Sequence, residues 1–366
     1  MASELVLALD QGSSSSRALA FDARGRVAAR AQFPVRTFFP RPGWVEHDAE
    51  DLFRTQARAL DRVLAAIPAR ARVLGLGLAA QRSTIVLWDS RTGKPVCRAP
   101  SWQDARAAAA VAGLASRRDE VHEKTGLYPT PFYSAPKIRF LLDSNAAARR
   151  LLEAGRLRIG PVSTYILWRL SEGRIFACDP TMAQRTLLFD IRRGDWDPSL
   201  LGFFAIPRAA LPALAPTMGP LGSIERSGRK VPVLAAVGDQ QAAAAALGSR
   251  PGLGVLNLGT GAFFLLNTGT DLRRVPGLLS SVAWRKAGEP CRYLLEGTVH
   301  AVGTSLEWLR QLGLLADPRR ADAACRRSKQ RLWALSAIGG LGAPRWDYST
   351  PSAFWGLDAR TRPEDL

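Results

Sequence analysis

The chain has 366 residues, 47% hydrophobic and 22% charged, so it is long enough for two globular domains, each with its own core. Four well-separated cysteines without a CxxC pair argue against a zinc site or a thioredoxin-type redox pair, and they suit a reducing compartment. The net charge is +18, but the arginines are spread along the chain without a dense basic tract or interleaved aromatics. We interpret this charge as a basic surface, and nucleic-acid binding as the least favoured alternative.

The N-terminus predicts a cytoplasmic protein. Glu4 stands where a signal peptide carries positive charge. No apolar run approaches the roughly 20 residues that are needed to cross a bilayer. We therefore expect no membrane partner.

Three short strands are predicted at the start of the chain. Leu5–Leu9 is apolar and ends at Asp10, and a turn of Gln, Gly and four Ser residues follows it. Arg17–Phe21 and Val27–Phe33 read as the second and third strands. Strands bounded by turn residues in this way indicate a β-meander.

The next elements mix helix and strand. Apolar residues recur at three- and four-residue spacing from Leu52 to Ile67, which predicts an amphipathic helix. Val73–Ala80 and Ile85–Trp88 are apolar runs of strand length. Both are predicted to be buried strands.

The middle of the chain is predicted to be mostly helical. Ala105–Leu114 has the composition of an alanine-rich helix, with Asp104 placed to serve as its N-cap. Further along, Val231–Val237 predicts a strand that leads through Gly238 and Asp239 into an alanine-rich helix.

A turn-rich break at residues 249–252 predicts a domain boundary. After it the chain begins again as at the start, with Val255–Leu258, the turn Gly259-Thr260-Gly261 and the return strand Phe263–Asn267. We expect one domain over residues 1–248 and a second over residues 249–366.

Two features of this pattern suit phosphate chemistry. Turns rich in Gly, Ser and Thr present backbone N–H groups and hydroxyls that can bind phosphate oxygens, although these residues are also simply good turn formers. Asp10 and Asp239 each end a strand, where a carboxylate can hold magnesium or accept a proton, or merely cap a helix. The sequence has no GxxxxGK[ST] loop, so any ATP site is not a P-loop, and its three isolated histidines lack metal-ligand spacing.

A series of short motifs runs along the whole chain: Leu9-Asp-Gln-Gly-Ser-Ser-Ser-Ser-Arg17, Pro42-Gly-Trp-Val-Glu-His-Asp48, Gln81-Arg82, Trp102-Gln103, Thr125-Gly-Leu127, Gly238-Asp-Gln-Gln241, Gly259-Thr-Gly261 and Gly340-Leu-Gly-Ala-Pro344. In sequence and in order these motifs resemble the FGGY carbohydrate kinases, and glycerol kinases most closely. Each motif is short, but together they are specific.

The resemblance implies an α/β protein of actin-like ATPase (ribonuclease H-like) fold, with two domains around a cleft and Mg-ATP as phosphoryl donor. It implies that Asp239 is the general base and that Asp10 and Asp239 lie near the magnesium ion. The implied polyol contacts are Arg82, Ser83, Trp102, Phe132, Asp239, Gln240 and Phe263. The implied nucleotide and phosphate contacts are Ser13, Ser14, Ser15, Arg17, Gly259, Thr260 and Gly303.

Two of these positions depart from glycerol kinases. Ser83 stands where those enzymes have a glutamate that bonds the polyol, and Phe132 stands where they have a tyrosine. A lost charge-assisted hydrogen bond removes roughly 1.5–3 kcal/mol of interaction. A different or larger polyol or sugar is therefore an open alternative.

The family continues beyond the position of Leu366 with a Gly-Gly-rich adenine-binding segment and covering helices. The resemblance thus implies an incomplete second domain, weak nucleotide binding and little activity for this chain alone. A non-catalytic polyol-binding remnant stays open as a second alternative. Pairing with a further copy of the chain is also possible, because an incomplete domain exposes apolar surface.

Overall fold

The computed structural model describes residues 4–248, 250–259 and 261–366. These residues form two compact units. The first combines the chain up to Ala246 with the segment Ser281–Arg292, and the second combines Leu247–Ser280 with Tyr293–Leu366.

The first unit holds most of the regular structure. Its strands are β1 (Glu4–Gln11), β2 (Ser15–Asp22), β3 (Val27–Pro34), β4 (Thr37–Phe38), β5 (Glu46–His47), β6 (Arg72–Ala80), β7 (Ile85–Asp89), β8 (Ala99–Pro100), β9 (Leu157–Pro161), β10 (Ala177–Cys178), β11 (Phe189–Asp190), β12 (Asp195–Trp196), β13 (Ala213–Leu214), β14 (Met218–Arg226) and β15 (Arg229–Gly238). Its helices are α1 (Ala49–Ala66), α2 (Ala108–Ala112), α3 (Arg118–Thr125), α4 (Ser134–Ser144), α5 (Ala146–Glu153), α6 (Val162–Leu170), α7 (Pro180–Gln184), α8 (Pro198–Phe203) and α9 (Asp239–Leu247).

The remaining elements lie from Gly254 onwards and begin with the second hairpin, β16 and β17. The strands are β16 (Gly254–Leu258), β17 (Ala262–Gly269), β18 (Leu279–Trp284), β19 (Arg292–Val299), β20 (Trp333–Leu335) and β21 (Ala353–Trp355). The helices are α10 (Gly303–Gln311) and α11 (Ala321–Cys325).

The predicted β-meander at the start of the chain is confirmed. β1 pairs antiparallel with β2, and β2 pairs antiparallel with β3. In β1, Leu5, Leu7 and Leu9 are buried while the residues between them are more exposed, as the two-residue period of a strand requires. The side chains that face inward meet helix α1, which packs on these strands.

Helix α1 also confirms its prediction. Its buried residues recur with helical period and include Leu52, Leu60 and Val63. The Asp48 carboxylate caps the helix, because it accepts the backbone N–H of Glu50 at 2.9 Å.

The main sheet of the first unit places three strand ends side by side. Its order is β14-β15-β6-β1-β2-β3, and β6 pairs parallel with both β1 and β15. Parallel strands end at the same edge of a sheet, so β1, β6 and β15 deliver the residues that follow them to one place. Ligands of open α/β sheets bind beyond such carboxyl ends.

The predicted helix Ala105–Leu114 is wrong in length and in its cap. Helix α2 covers only Ala108–Ala112 and buries none of its residues. Asp104 does not cap it, because its carboxylate accepts the Val45 amide at 2.7 Å and the guanidinium of Arg106 at 2.8 Å. These hydrogen bonds hold the chain in a turn before the alanines, whose small side chains bury little apolar surface.

The second unit repeats the opening hairpin, as predicted. β16 pairs antiparallel with β17, and β17 pairs antiparallel with β19. Gly261 lies so close to β19 that a Cβ there would come within 2.6 Å of the Val299 carbonyl oxygen, so this turn excludes larger residues.

None of the helices in the described ranges combines the length with the apolar character that a bilayer crossing requires.

Candidate active site

Asp10, Arg82 and Asp239 come together where three strands end. In the sheet register Asp10 lies beside Ala79 of β6, and Gly238 lies beside Ala80. Arg82 follows two residues after the end of β6, and Asp239 directly follows β15. Three chemically active residues from distant parts of the sequence therefore share one edge of the sheet.

Asp239 is positioned by both of its neighbours along the chain. Helix α9 begins at this residue, and the amide of Gly238 donates to the Thr181 hydroxyl at 2.8 Å. The Asp239 side chain is 42% exposed, and its Oδ1 lies 4.0 Å from Nε of Arg82. The carboxylate is thus held in place by the backbone and remains accessible to a substrate.

The electrostatic surroundings make Asp239 a better proton acceptor than a free aspartate. Desolvation raises its pKa, and the guanidinium of Arg82 and the Gln240 amide work against that increase. The charge of Asp10 raises the pKa further, and Arg185 lowers it. A general base is most effective when its pKa approaches the working pH.

Asp10 is held by Arg17 across the first hairpin. Nη1 of Arg17 donates to Oδ2 of Asp10 at 3.2 Å, and the Asp10 side chain is 37% exposed. Partial burial raises the pKa of Asp10, and Arg17 opposes this increase. Asp10 and Arg17 are opposite each other in the β1–β2 register, so this ion pair lies across the first hairpin.

The first hairpin turn has a compact backbone. The amide of Gly12 donates to the Ser15 carbonyl at 3.0 Å, and the side-chain amide of Gln11 donates to the Gly12 carbonyl at 3.2 Å. Ser13 and Ser14 lie nearer the surface, whereas Ser15 is buried. The hydroxyls of Ser13 and Ser14 are thus the ones placed to meet a ligand.

Trp102 joins this hairpin to the predicted polyol residues. Its indole Nε1 donates to Oγ of Ser13 at 2.9 Å, and its backbone amide donates to the Thr84 hydroxyl at 3.1 Å. Ser83, next to Thr84, is buried and has a φ of 62°, in the left-handed region. Phe132 is partly buried just before helix α4.

Gln240 has a polar atom that is ready for a ligand. Its side-chain oxygen Oε1 is shielded from solvent and has no hydrogen-bond partner among the described residues. Buried polar atoms are normally satisfied, and the exceptions often lie at functional sites.

The structure adds residues that the sequence patterns did not single out. Arg185 is buried, and its charge lowers the pKa of Asp239. Thr181 accepts the amide of Gly238 and so fixes the backbone beside Asp239. Lys137 reaches the backbone of Ser83 and of Phe132. The sequence gives one sign that Lys137 is buried: it directly precedes Ile138, an apolar residue on the buried face of its helix.

The remaining predicted residues lie in the second unit. Gly303 begins helix α10, and its amide donates to the Gly259 carbonyl at 3.0 Å, which brings these two predicted nucleotide contacts together. Phe263 lies on β17 opposite Thr298. Thr260 falls outside the described residues.

The donor set of the first unit suits magnesium better than a transition metal. Among the residues that the structure describes, no three His, Cys, Asp or Glu side chains cluster as metal ligands. Asp10 and Asp239 offer two accessible carboxylates that interact electrostatically. Magnesium is commonly bound by one or two carboxylates and keeps several waters.

Known proteins similar to this chain share both halves of it. The domain described as "FGGY family of carbohydrate kinases, N-terminal domain" matches residues 5–248, and the corresponding C-terminal domain matches residues 254–366. A glycerol kinase of Methylobacterium nodulans is 41% identical over 99% of this chain and 74% of its own length. A glycerol kinase of Alkalilimnicola ehrlichii is 42% identical over 94% of this chain and 71% of its own length. The chain therefore spans about three quarters of the length of these relatives.

Solved structures agree with these matches. A Plasmodium falciparum glycerol kinase, determined with ADP, superposes with a TM-score of 0.89 at 25% identity, over 100% of this chain and 75% of that one. A gluconate kinase from Lactobacillus acidophilus shares the fold, with a TM-score of 0.86 at 19% identity, over 99% of this chain and 74% of that one. The expected actin-like ATPase fold is confirmed, and the chain belongs to the FGGY family of carbohydrate kinases.

Proposed function

We propose that this carbohydrate kinase transfers a phosphoryl group from ATP to a hydroxyl of glycerol or a related polyol, with Asp239 as the general base. The observation that supports this most is the position of Asp239. It is a partly exposed carboxylate at the end of a central strand, 4.0 Å from Arg82, and desolvation by the surrounding protein raises its pKa. The glycerol kinase relatives do not favour a non-catalytic remnant.

Asp239 would accept the proton of the attacking hydroxyl. Phosphoryl transfer depends mainly on positioning and charge neutralisation, so one base is enough on the acceptor side. Arg82 lies next to this carboxylate and would orient the hydroxyl towards it. The unpartnered Gln240 oxygen can accept a hydrogen bond from a second hydroxyl of the polyol.

Each of the two hairpins, taken by itself, presents groups that would bind phosphate. In the first, the hydroxyls of Ser13 and Ser14 and the charge of Arg17 lie along one turn, with Ser15 closing its backbone. In the second, the Gly259 carbonyl accepts the amide of Gly303, which begins helix α10, and the N-terminal dipole of this helix favours an anion. Thr260 is proposed as a contact from the family resemblance alone. The boundary near residue 249 would then separate a polyol and phosphate domain from a nucleotide domain.

Asp10 and Asp239 would hold the magnesium ion, which neutralises charge on the ATP phosphates. Both carboxylates are accessible, and the pKa of Asp239 responds to the charge of Asp10. The fold of the chain places these two carboxylates at one edge of the sheet. Their spacing is set by the parallel strands β1, β6 and β15.

The polyol would contact Arg82, Ser83, Trp102, Phe132 and Gln240 of the first unit. Phe263 of the second unit is proposed as a contact from the family resemblance alone. Ser83 and Phe132 offer no carboxylate and no phenol hydroxyl to the ligand. The absence of both groups favours a polyol that is larger or less dependent on charge-assisted hydrogen bonds than glycerol. The glycerol kinase relatives support a polyol as the class of substrate. Assays with a panel of polyols test which polyol this chain uses.

The test is ADP release from magnesium-ATP with a panel of polyols, for the chain and for Asp239→Asn. The resemblance implies a low rate for this chain alone, and we expect at least one polyol to raise ADP release above the rate without polyol. Asp239→Asn should lower that kcat by about 10²-fold or more while polyol binding survives. Asp143→Asn, which alters an exposed carboxylate on α4, is the matched control. An Asp239→Asn variant as active as the control contradicts the assignment of the base. A wild-type chain that neither binds nor phosphorylates any polyol contradicts the function.

A further inference from the structure

Lys137 lies on helix α4 and is fully buried. Its Nζ donates to three backbone carbonyl oxygens, those of Ser83 at 2.9 Å, Ser101 at 2.8 Å and Phe132 at 2.8 Å. A lysine ammonium has three N–H groups, so all of them are used. Burying such a charge is costly unless it is fully hydrogen-bonded, and here it is.

The three carbonyls belong to separate segments of the chain. Ser83 follows β6, Ser101 follows β8, and Phe132 precedes α4. Each segment also carries a proposed polyol contact, namely Ser83 itself, Trp102 next to Ser101, and Phe132 itself. One side chain therefore links three segments that the sheet and helices alone would not hold together.

The Ser83 segment has a particular need for this link. Its φ of 62° is unfavourable for a residue with a Cβ, and such a conformation persists only where the surroundings hold it. The Ser83 carbonyl accepts hydrogen bonds from Nζ of Lys137 and from the Ser134 hydroxyl at 3.3 Å. Both donors lie on helix α4, so this helix fixes the strained residue.

Pairing of Lys137 with a nearby acid does not account for its burial. The carboxylate whose charge acts on it, Asp104, is hydrogen-bonded to the Arg106 guanidinium and the Val45 amide. Arg106 also donates to Glu46 at 2.7 Å. These charges satisfy one another, so the hydrogen-bond partners of Lys137 are the carbonyls of the proposed polyol site.

We propose that Lys137 is a positioning residue of the polyol site, which holds the segments of Ser83, Trp102 and Phe132 in one arrangement and so sets the fit of the polyol. This proposal rests on the proposed function, because it takes these three residues as polyol contacts. Methionine at this position keeps a similar length but has no donor, so it leaves three buried carbonyls unpaired. The pocket should then loosen while the phosphate hairpins stay unchanged.

The test compares the full chain with Lys137→Met and with Leu141→Ala. Leu141 is buried one turn further along α4 and contacts none of the three carbonyls through a hydrogen bond, so its truncation controls for a general loss of stability. Amide hydrogen exchange is followed in peptides that cover residues 81–84, 99–103 and 130–134. Polyol and magnesium-ATP affinities are measured by titration calorimetry.

We expect Lys137→Met to speed exchange at least 10-fold in all three peptides and to weaken polyol binding at least 10-fold, with nucleotide affinity within twofold of the wild-type value. Leu141→Ala should not speed exchange selectively in the three peptides, and it should leave the polyol affinity unchanged. Unchanged exchange in folded Lys137→Met overturns the proposal. So does an equal loss of polyol affinity in both variants.

Two further outcomes of these experiments also test the proposal. If Lys137→Met does not fold, amide hydrogen exchange of the wild-type chain at low denaturant concentration tests the proposal instead. The three peptides should then open together with one free energy, and independent opening overturns the proposal. If the wild-type chain binds no polyol, the proposed function fails, while the exchange data still show whether Lys137 holds the three segments.

Discussion

Ser83 and Phe132 set the polarity of the proposed polyol site. Ser83 is buried, has positive φ and is hydrogen-bonded through its carbonyl, so its backbone position is fixed while its side chain is short. Phe132 sits before α4, with its carbonyl held by the same lysine. Changes to these side chains should therefore alter the pocket and leave the backbone in place.

We predict that Ser83→Glu combined with Phe132→Tyr raises kcat/KM for glycerol roughly 10- to 100-fold, because a restored charge-assisted hydrogen bond is worth about 1.5–3 kcal/mol. The two positions share one ligand, so their effects need not add. Ser83→Gln with Phe132→Tyr is the matched control, because it restores size without charge. Equal kcat/KM for glycerol in all three proteins shows that these positions do not set the preference.

The sequence singled out candidate site residues but not the contacts between them. Asp10 and Asp239 stood out because each ends an apolar strand before a turn or helix, and the resemblance to a family supplied their roles. The hydrogen bond from Trp102 to Ser13 and the carbonyls bound by Lys137 join residues far apart in the chain. No local pattern encodes such pairs, because they depend on how the elements pack.

Helix α7 supports the site at the scale of the elements, because its Thr181 hydroxyl accepts the amide of Gly238 beside Asp239. Its N-cap is Asp179, which is buried and accepts the amides of Thr181 and Met182 and the Thr217 hydroxyl. Burial raises the pKa of Asp179 to about 6 from 3.8. The folded protein thus binds this proton more tightly than the unfolded chain does.

The sign of the pH effect follows from this difference. Between about pH 4 and pH 7 the folded carboxyl must ionise against its raised pKa, so Asp179 lowers the free energy of unfolding as pH rises. We predict that the stability of Asp179→Asn relative to wild type increases by about 2 kcal/mol over this range. Chemical denaturation at several pH values measures it.

Asp197 is the control for this experiment, since it also caps a short helix, α8. Burial acts to raise its pKa, but the Ser199 hydroxyl and the Leu200 amide lower it below the usual value overall. Asp197→Asn should therefore show no rise in relative stability with pH. A rise of equal size in both variants means that the effect does not come from the pKa of Asp179.

Element prediction succeeded where a period decided the structure and failed where a tertiary contact did. The meander β1–β3 and helix α1 have clear periods of two and of three to four residues. The stretch Ala105–Leu114 has helical composition, but the carboxylate of Asp104 binds Val45 and Arg106 and shortens the helix. Alanine propensity, at a few tenths of a kcal/mol per residue, does not outweigh such a buried ionic contact.

On the scale of the molecule, the sheet of the second unit carries an exposed apolar patch. It comprises Leu256 at 58%, Leu258 at 65%, Phe264 at 46% and Val299 at 48% exposure. Leu256 lies opposite Phe264, and Leu258 and Val299 both lie opposite Ala262, so the four side chains share one face. Patches of this kind promote association.

We predict that the chain associates with itself more strongly as salt rises, because the net charge of +18 opposes contact until it is screened. Leu256→Thr with Leu258→Thr should reduce this association and keep the folded stability within about 0.5 kcal/mol. Static light scattering at low and high salt measures the association. Leu265→Thr, which alters a buried residue on the other face of β17, should lower stability without reducing association. Association that is unchanged in the double variant rules out the patch.

We predict that the hydrogen bond from the Trp102 indole to Ser13 makes the two proposed substrates thermodynamically dependent on each other. A hydroxyl that donates to a phosphate oxygen becomes a better acceptor, so nucleotide binding at Ser13 should strengthen its bond to Trp102 and tighten the polyol site. Linkage then requires the polyol to tighten nucleotide binding by the same factor. Ser13→Ala should leave either substrate able to bind alone and abolish this synergy, which calorimetric titration of each substrate with and without the other measures. Persistent synergy in Ser13→Ala would place the coupling elsewhere.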